Sequence, residues 1–162
     1  MAKHIMALTY APKIEAVRSG ECCQTVRLLH QGKELPDDIR ERIMHPGDEI
    51  LMHTWEGRPY RSKWGWRQRY IVDEVLVLYC DGEDTWYWSP LDPTQQECHG
   101  LMDIIDDDEL VDIVRRDHID PPTVDEWEWT LLRLNGLDYL SDSDWQVIRW
   151  RPARTDTAEE VA

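Results

Sequence analysis

The chain has 162 residues, 41% apolar and 31% charged, which suits one folded domain with a real core and is short for two. No apolar run approaches the ~20 residues of a membrane span, and the first ten residues lack a secretory signal, so a cytoplasmic protein without a membrane partner is expected. A formal net charge of −15 repels bulk nucleic acid unless cations gather locally.

They do gather. Residues 1–72 hold 12 basic and 9 acidic residues, net +3, whereas residues 73–162 hold 6 and 24, net −18. Cys22 and Cys23 are adjacent, Cys80 and Cys98 stand alone, and no Cys-x-x-Cys pair is present. Neither a disulfide framework nor a structural zinc site is expected, and no metal or cofactor is called for. With nine tryptophans and no phenylalanine, Trp must take over much of the core packing.

Along the chain, His4 to Thr9 is a short apolar strand. Pro12 then opens a helix over Lys13 to Ser19, closed by Gly20. Cys23 to Leu29 alternates as a strand does. Pro36 to Met44 predicts a short helix, because Ile39 and Ile43 lie four apart. Pro46-Gly47-Asp48 turns into a strand over Glu49 to Thr54. Residues 55–69 predict a loop or irregular hairpin, and Tyr70 to Cys80 a buried strand, turned by Asp81-Gly82. Trp86-Tyr87-Trp88 adds a short strand before a loop from Pro90 to Gly100, whose Cys98-His99 pair has no partners in spacing. Asp106 to Arg116 is a helix with acids in its first turn and arginines in its last. Its acidic stretch from Asp103 lacks calcium-loop spacing and predicts a solvated helix start. Thr123 to Leu134 is a second helix, with a Thr123/Glu126 capping box and Gly136 at its end. Trp145 to Trp150 closes the domain as a strand. One domain over residues 1–151 and a disordered tail over 152–162 are expected. The fold class is α+β: a small β-barrel decorated by helices, with an acidic helical insert before the last strand.

Four segments together resemble the ASCH domain family of the PUA-like superfamily of small barrels. They are Ala7-Leu8 through Pro12 to Gly20; GECCQTVR, Gly20 to Arg27, against the family's G-x-K-x-x-T-x-R; HPGDEILMHTW with its Gly47-Asp48 turn; and WQVIRW, Trp145 to Trp150. The resemblance spans about residues 5 to 151. It implies binding of RNA or modified nucleosides. One branch of the family hydrolyses N4-acetylcytidine, using a threonine nucleophile, a lysine beside it and a glutamate on a later strand. Carried over, the threonine falls on Thr25, the lysine on Cys22, and the glutamate on Asp73 or Glu74, with Glu74 taken as the partner. A thiol at position 22 lacks the base strength and reach of an amine, so hydrolysis is expected to be weak or absent.

Thr25 and Arg27 lie two apart and share one face of their strand. Gly20 would permit a ligand's close approach, and Arg27 can fork onto a phosphate or base edge. Cys22, Thr25 and Arg27 therefore form one candidate binding group. In the segment Arg58 to Tyr70, the cations Arg58, Arg61, Lys63, Arg67 and Arg69 interleave with Tyr60, Trp64, Trp66 and Tyr70. That composition suits phosphates and stacked bases. The bland alternative is a Trp plugging the barrel end and arginines pairing with the acidic half. Gly65 is expected to let the rings of Trp64 and Trp66 turn to opposite faces. The leading expectation is an RNA-, nucleotide- or modified-nucleoside-binding protein. Its alternatives are an amidohydrolase with Thr25 as nucleophile, and an acidic module that imitates nucleic acid toward a basic protein partner. A lysine reaching Thr25 from elsewhere, Lys13 or Lys63, would favour the enzyme.

Overall fold

A computed structural model describes residues 1–91 and 103–154. The elements are β1 (Lys3–Ala7), α1 (Ala11–Ser19), β2 (Gln24–Gln31), β3 (Glu49–Trp55), β4 (Trp64–Cys80), β5 (Trp86–Trp88), α2 (Asp107–Arg116), α3 (Val124–Asn135) and β6 (Ser143–Pro152). The strands form one curled half-barrel in the order β1-β3-β4-β6-β2, with β5 added to β4. β1 runs parallel to β3, and every other pairing is antiparallel. This is the expected α+β arrangement of a barrel-like sheet carrying helices. Thr25 lies on a strand, and the closing strand pairs with it, Thr25 opposite Ile148.

The sheet is buried on both faces. Ile50, Met52, Val72, Val75, Val77 and Ile148 pack with Val17 of α1. On the other face, Leu78, Cys80, Trp145 and Val147 pack with Ile113 and Val114 of α2 and Trp127 and Leu131 of α3. Trp127 and Trp145 are wholly buried, the packing role expected of a chain without phenylalanine. α2 starts on the Asp106 carboxylate, which accepts the Glu109 N–H at 2.8 Å, and α3 on Thr123, which accepts from the Glu126 N–H. The acidic stretch is thus a capped helix start. Gly20 and Gly136 close α1 and α3 in the left-handed conformation.

Three expectations are corrected. The strand expected from Tyr70 starts already at Trp64, and residues 55–69 form the irregular-hairpin alternative rather than a loop, β4 pairing with β3 from Trp55–Trp64 onward with a register shift between His53 and Trp55. The residues from Pro36 to Met44 make only a 3₁₀ turn, Ile39–Arg42. Ile39 and Ile43 still anchor the segment in the core, but so few residues cannot repay helix nucleation. The last strand continues through Pro152, and the Ala153 N–H reaches the Arg69 carbonyl, so ordered structure runs past residue 151. Residues 155–162, and Cys98-His99, lie outside the described residues.

β4 is long because its first part pairs with β3 and its second with β6, and it carries a bulge. Val72 pairs with Trp150 and Glu74 with Arg149, leaving Asp73 unpaired. The extra residue lets Val72 and Val75, an odd spacing, reach the same core.

Candidate functional site

β2 is an edge strand, bonded only to β6. Its open edge faces a small cavity of about 90 Å³. The β1–α1 connection supplies Leu8 and Tyr10, α1 supplies Lys13, β2 supplies Thr25 and Arg27, and α3 supplies Thr130 and Leu131. Asp117 enters from the C-terminal end of α2.

Four polar side chains converge there. The Lys13 amine donates to Thr25 Oγ1 at 3.3 Å and to the Asp117 carboxylate. Asp117 also accepts the Trp127 indole N–H at 3.0 Å. Lys13, Thr25 and Asp117 are 6%, 5% and 2% exposed, so this network is inside the molecule. Arg27 donates through Nη2 to the Ala7 carbonyl at 3.0 Å, tying β2 to the end of β1.

The electrostatics follow from burial. Burial pushes the Asp117 carboxyl above the usual carboxylate range, against the pull of Lys13, Trp127 and Arg27. Burial also draws the Arg27 guanidinium below its ordinary value, opposed by the charges of Asp117 and Tyr60.

The sequence candidates divide. Thr25 and Arg27 do share one face and line one cavity. The amine beside Thr25 is Lys13, one turn into α1, rather than anything at position 22. Cys22 is fully buried, with Sγ 3.2 Å from the Gln24 carbonyl, and burial pushes its thiol up. Gly20 caps α1, and a Cβ there would meet nothing within 4 Å, so its role is the turn. Glu74 and Asp73 open instead onto a neighbouring cleft with Gln24, Arg115, Arg116, His118 and Arg149. There Glu74 accepts from Arg149 at 2.8 Å.

The Arg58–Tyr70 segment divides by strand period. Trp64 and Trp66 lie on the same face of β4, not on opposite faces. Trp64 stacks on buried His53 at 3.9 Å, and Trp66 packs on the core with Arg18 6.0 Å from its ring. Arg67 and Arg69 project from the other face and are exposed. Arg61 and Lys63 are exposed at the hairpin tip, where Tyr60 is 86% exposed. The interleaving seen in sequence becomes, within the strand, rings on one side and cations on the other.

Asp117 and Thr130 were not singled out from sequence. Asp117 looks like an ordinary helix-end residue, and it is 104 positions from Lys13. Thr130 carried a usable signal. It lies three residues after Trp127, so on α3 it shares that residue's inward face.

The chain matches no family model and no solved structure. It is similar to the mouse MYCBP-associated protein, 34% identical over 71 residues, which is 43% of this chain and 7% of that protein. The chain thus spans a small fraction of that relative's length. No helix among the described residues is long and apolar enough to cross a membrane.

Proposed function

We propose that this protein is an amidohydrolase of the ASCH, PUA-like kind that removes an acyl group from an acylated amine of the N4-acetylcytidine type. The observation that carries this reading is the buried Lys13 amine 3.3 Å from the Thr25 hydroxyl at the wall of a small cavity. A threonine hydroxyl is a poor nucleophile until a base takes its proton. An amine within hydrogen-bond reach, with a carboxyl behind it to hold the displaced proton, supplies that base.

The chemistry balances with water as the only co-reactant. Thr25 Oγ1 attacks the acyl carbon, and its proton passes to the Lys13 amine. The C–N bond breaks as Lys13 returns the proton to the leaving nitrogen, giving an acyl-threonine and a free amine. Water then attacks the acyl carbon, Lys13 takes its proton, and Thr25 leaves with that proton restored. The products are carboxylic acid and amine. Asp117 holds Lys13 in place, and the Trp127 N–H holds Asp117. A cavity of about 90 Å³ takes the acylated end of a substrate and leaves the rest outside, since whole-ligand sites run to ~300 Å³ or more.

The hairpin tip supports a nucleotide as the part left outside. Arg58, Arg61 and Lys63 are exposed around Tyr60 at the hairpin tip. They supply local positive charge on a molecule of net −15. Purified protein incubated with N4-acetylcytidine should release cytidine and acetate in equal amounts by chromatography. Thr25→Ala should abolish release while leaving the circular dichroism spectrum intact. A wild type inert toward this nucleoside and toward p-nitrophenyl acetate would overturn the reading.

A further inference from the structure

Buried polar atoms are nearly always paired, so each exception asks for an explanation. Among the described residues, two of the exceptions, Arg27 Nε and Thr130 Oγ1, belong to residues that line the Thr25 cavity. The Arg27 guanidinium is held by its bond from Nη2 to Ala7, which fixes where Nε–H points. Thr130 is 1% exposed, and a mid-helix threonine ordinarily satisfies its hydroxyl on a carbonyl one turn back. Here the hydroxyl has no partner.

The donor inventory defines what would complete them. Arg27 Nε–H only donates, so it requires an acceptor oxygen. The Thr130 hydroxyl can donate or accept. Leu8, Leu131 and Leu134 form apolar walls between these groups. The formal charges of Lys13, Arg27 and Asp117 sum to +1, which suits charge developing on an oxygen and disfavours a cation. A small secondary amide meets every term, with a carbonyl oxygen, an N–H and an apolar acyl end.

We propose that Arg27 and Thr130 are the ligand-reading pair of this cavity: Arg27 Nε–H binds the acyl carbonyl oxygen, and the Thr130 hydroxyl accepts the amide N–H. This rests on the hydrolytic reading of Thr25 and Lys13 and assigns the substrate contacts that reading lacks. Arg27 strengthens its bond as the carbonyl becomes an oxyanion, so its loss falls on kcat. Thr130 reads the amide nitrogen, so it discriminates amides from esters.

The test uses two substrates and one probe. In Thr130→Val, kcat/KM for N4-acetylcytidine should fall about tenfold, the worth of one hydrogen bond. Hydrolysis of p-nitrophenyl acetate, which has no N–H, should stay within about twofold of wild type, because no bond to Thr130 is lost. Tm should hold or rise, because an unpaired buried hydroxyl has been removed. Thr130→Ser should retain the amide rate. Arg27→Gln should lower kcat about 10²-fold on both substrates. Separately, N-methylacetamide should raise the Tm of wild type and of Thr25→Ala, but not that of Thr130→Val or Arg27→Gln. If wild type turns over neither substrate yet shows this pattern with N-methylacetamide, the reaction fails and the reading pair stands. If Thr130→Val leaves the amide-to-ester ratio unchanged, or N-methylacetamide stabilises all variants alike, the pair is overturned.

Discussion

Gln24 and Thr25 are neighbours on β2, yet the pleat sends them into two polar sites of opposite character. Thr25 opens onto a small cavity whose charges Lys13 and Asp117 are almost wholly buried and whose donors are incompletely used. Gln24 opens onto a wider cleft where Arg149 bonds both Gln24 at 2.9 Å and Glu74 at 2.8 Å. Asp112 adds ion pairs to Arg115 and Arg116, 71% and 54% exposed. The cleft's ion pairs are part-exposed and screened by water, although one lining residue, Trp150, also carries an unpaired buried indole N–H. The cavity carries desolvated charge and unpaired atoms, and these are the features of a site that completes itself with a ligand.

The sharpest way to break this contrast is to remove one partner from the buried pair. Lys13→Met leaves the Asp117 carboxyl inside the protein with only the Trp127 N–H. Stability should fall by ~3–5 kcal/mol near neutral pH. The deficit should shrink as pH falls, because the stranded carboxyl takes up a proton and becomes neutral. Lys13→Met combined with Asp117→Asn should recover most of the loss. Urea unfolding at several pH values measures all of this. A cost under ~1 kcal/mol would place the pair with ordinary surface salt bridges.

What the sequence made readable follows the same division. Period two put Thr25 and Arg27 on one face, and alternation marked β2 and β6. The order of elements and the barrel-like sheet were also within reach. The Thr25 environment was not, because its parts come from α1, the end of α2 and α3, and contact across 104 positions leaves no local signal. The resemblance put the lysine position at Cys22 on the strand lead-in, and Lys13, one of the two alternatives named from elsewhere in the chain, supplies it from the preceding helix. In residues 64–69 the strand signal is present but masked. Trp64, Trp66, Gln68 and Tyr70 alternate with Gly65, Arg67 and Arg69, a strand pattern that the glycine and clustered charge disguised as loop. The Asp73 bulge hid a second part of the pattern, since it breaks the alternation between Val72 and Val75.

A second buried carboxylate tests what a partner is worth. Asp144 is 4% exposed, and burial pushes its carboxyl up to about 6, with only His30, opposite it in the β2–β6 register, pulling back. Because the folded value lies above the ordinary 3.8, this group favours folding most below that value. The contribution is lost as pH rises through about 6. The span of about two pH units corresponds to ~2–3 kcal/mol. Asp144→Asn should gain on wild type by that order as pH goes from 4 to 7, followed as the urea midpoint. Parallel midpoint curves would show that burial does not raise the Asp144 carboxyl in the folded state.

The smallest effect is expected on the other side of β2. The proposed hydrolase would take its glutamate at Glu74, whereas Glu74 is 45% exposed and bonded to Arg149, in the cleft rather than at the Thr25 cavity. Glu74→Gln keeps the size of the side chain and a hydrogen-bond acceptor for Arg149, removing only charge. At a half-exposed pair that change should cost under ~1 kcal/mol of stability, and less at high salt. Arg149 keeps its bond to Gln24, so the backbone of β2 beside Thr25 has no reason to move. Release of cytidine from N4-acetylcytidine should therefore stay within about twofold of wild type, the range that corresponds to under ~0.5 kcal/mol of barrier. A fall of tenfold or more with stability unchanged would mean that the two sites act together across β2, and that the acid which serves Thr25 is Glu74 rather than Asp117.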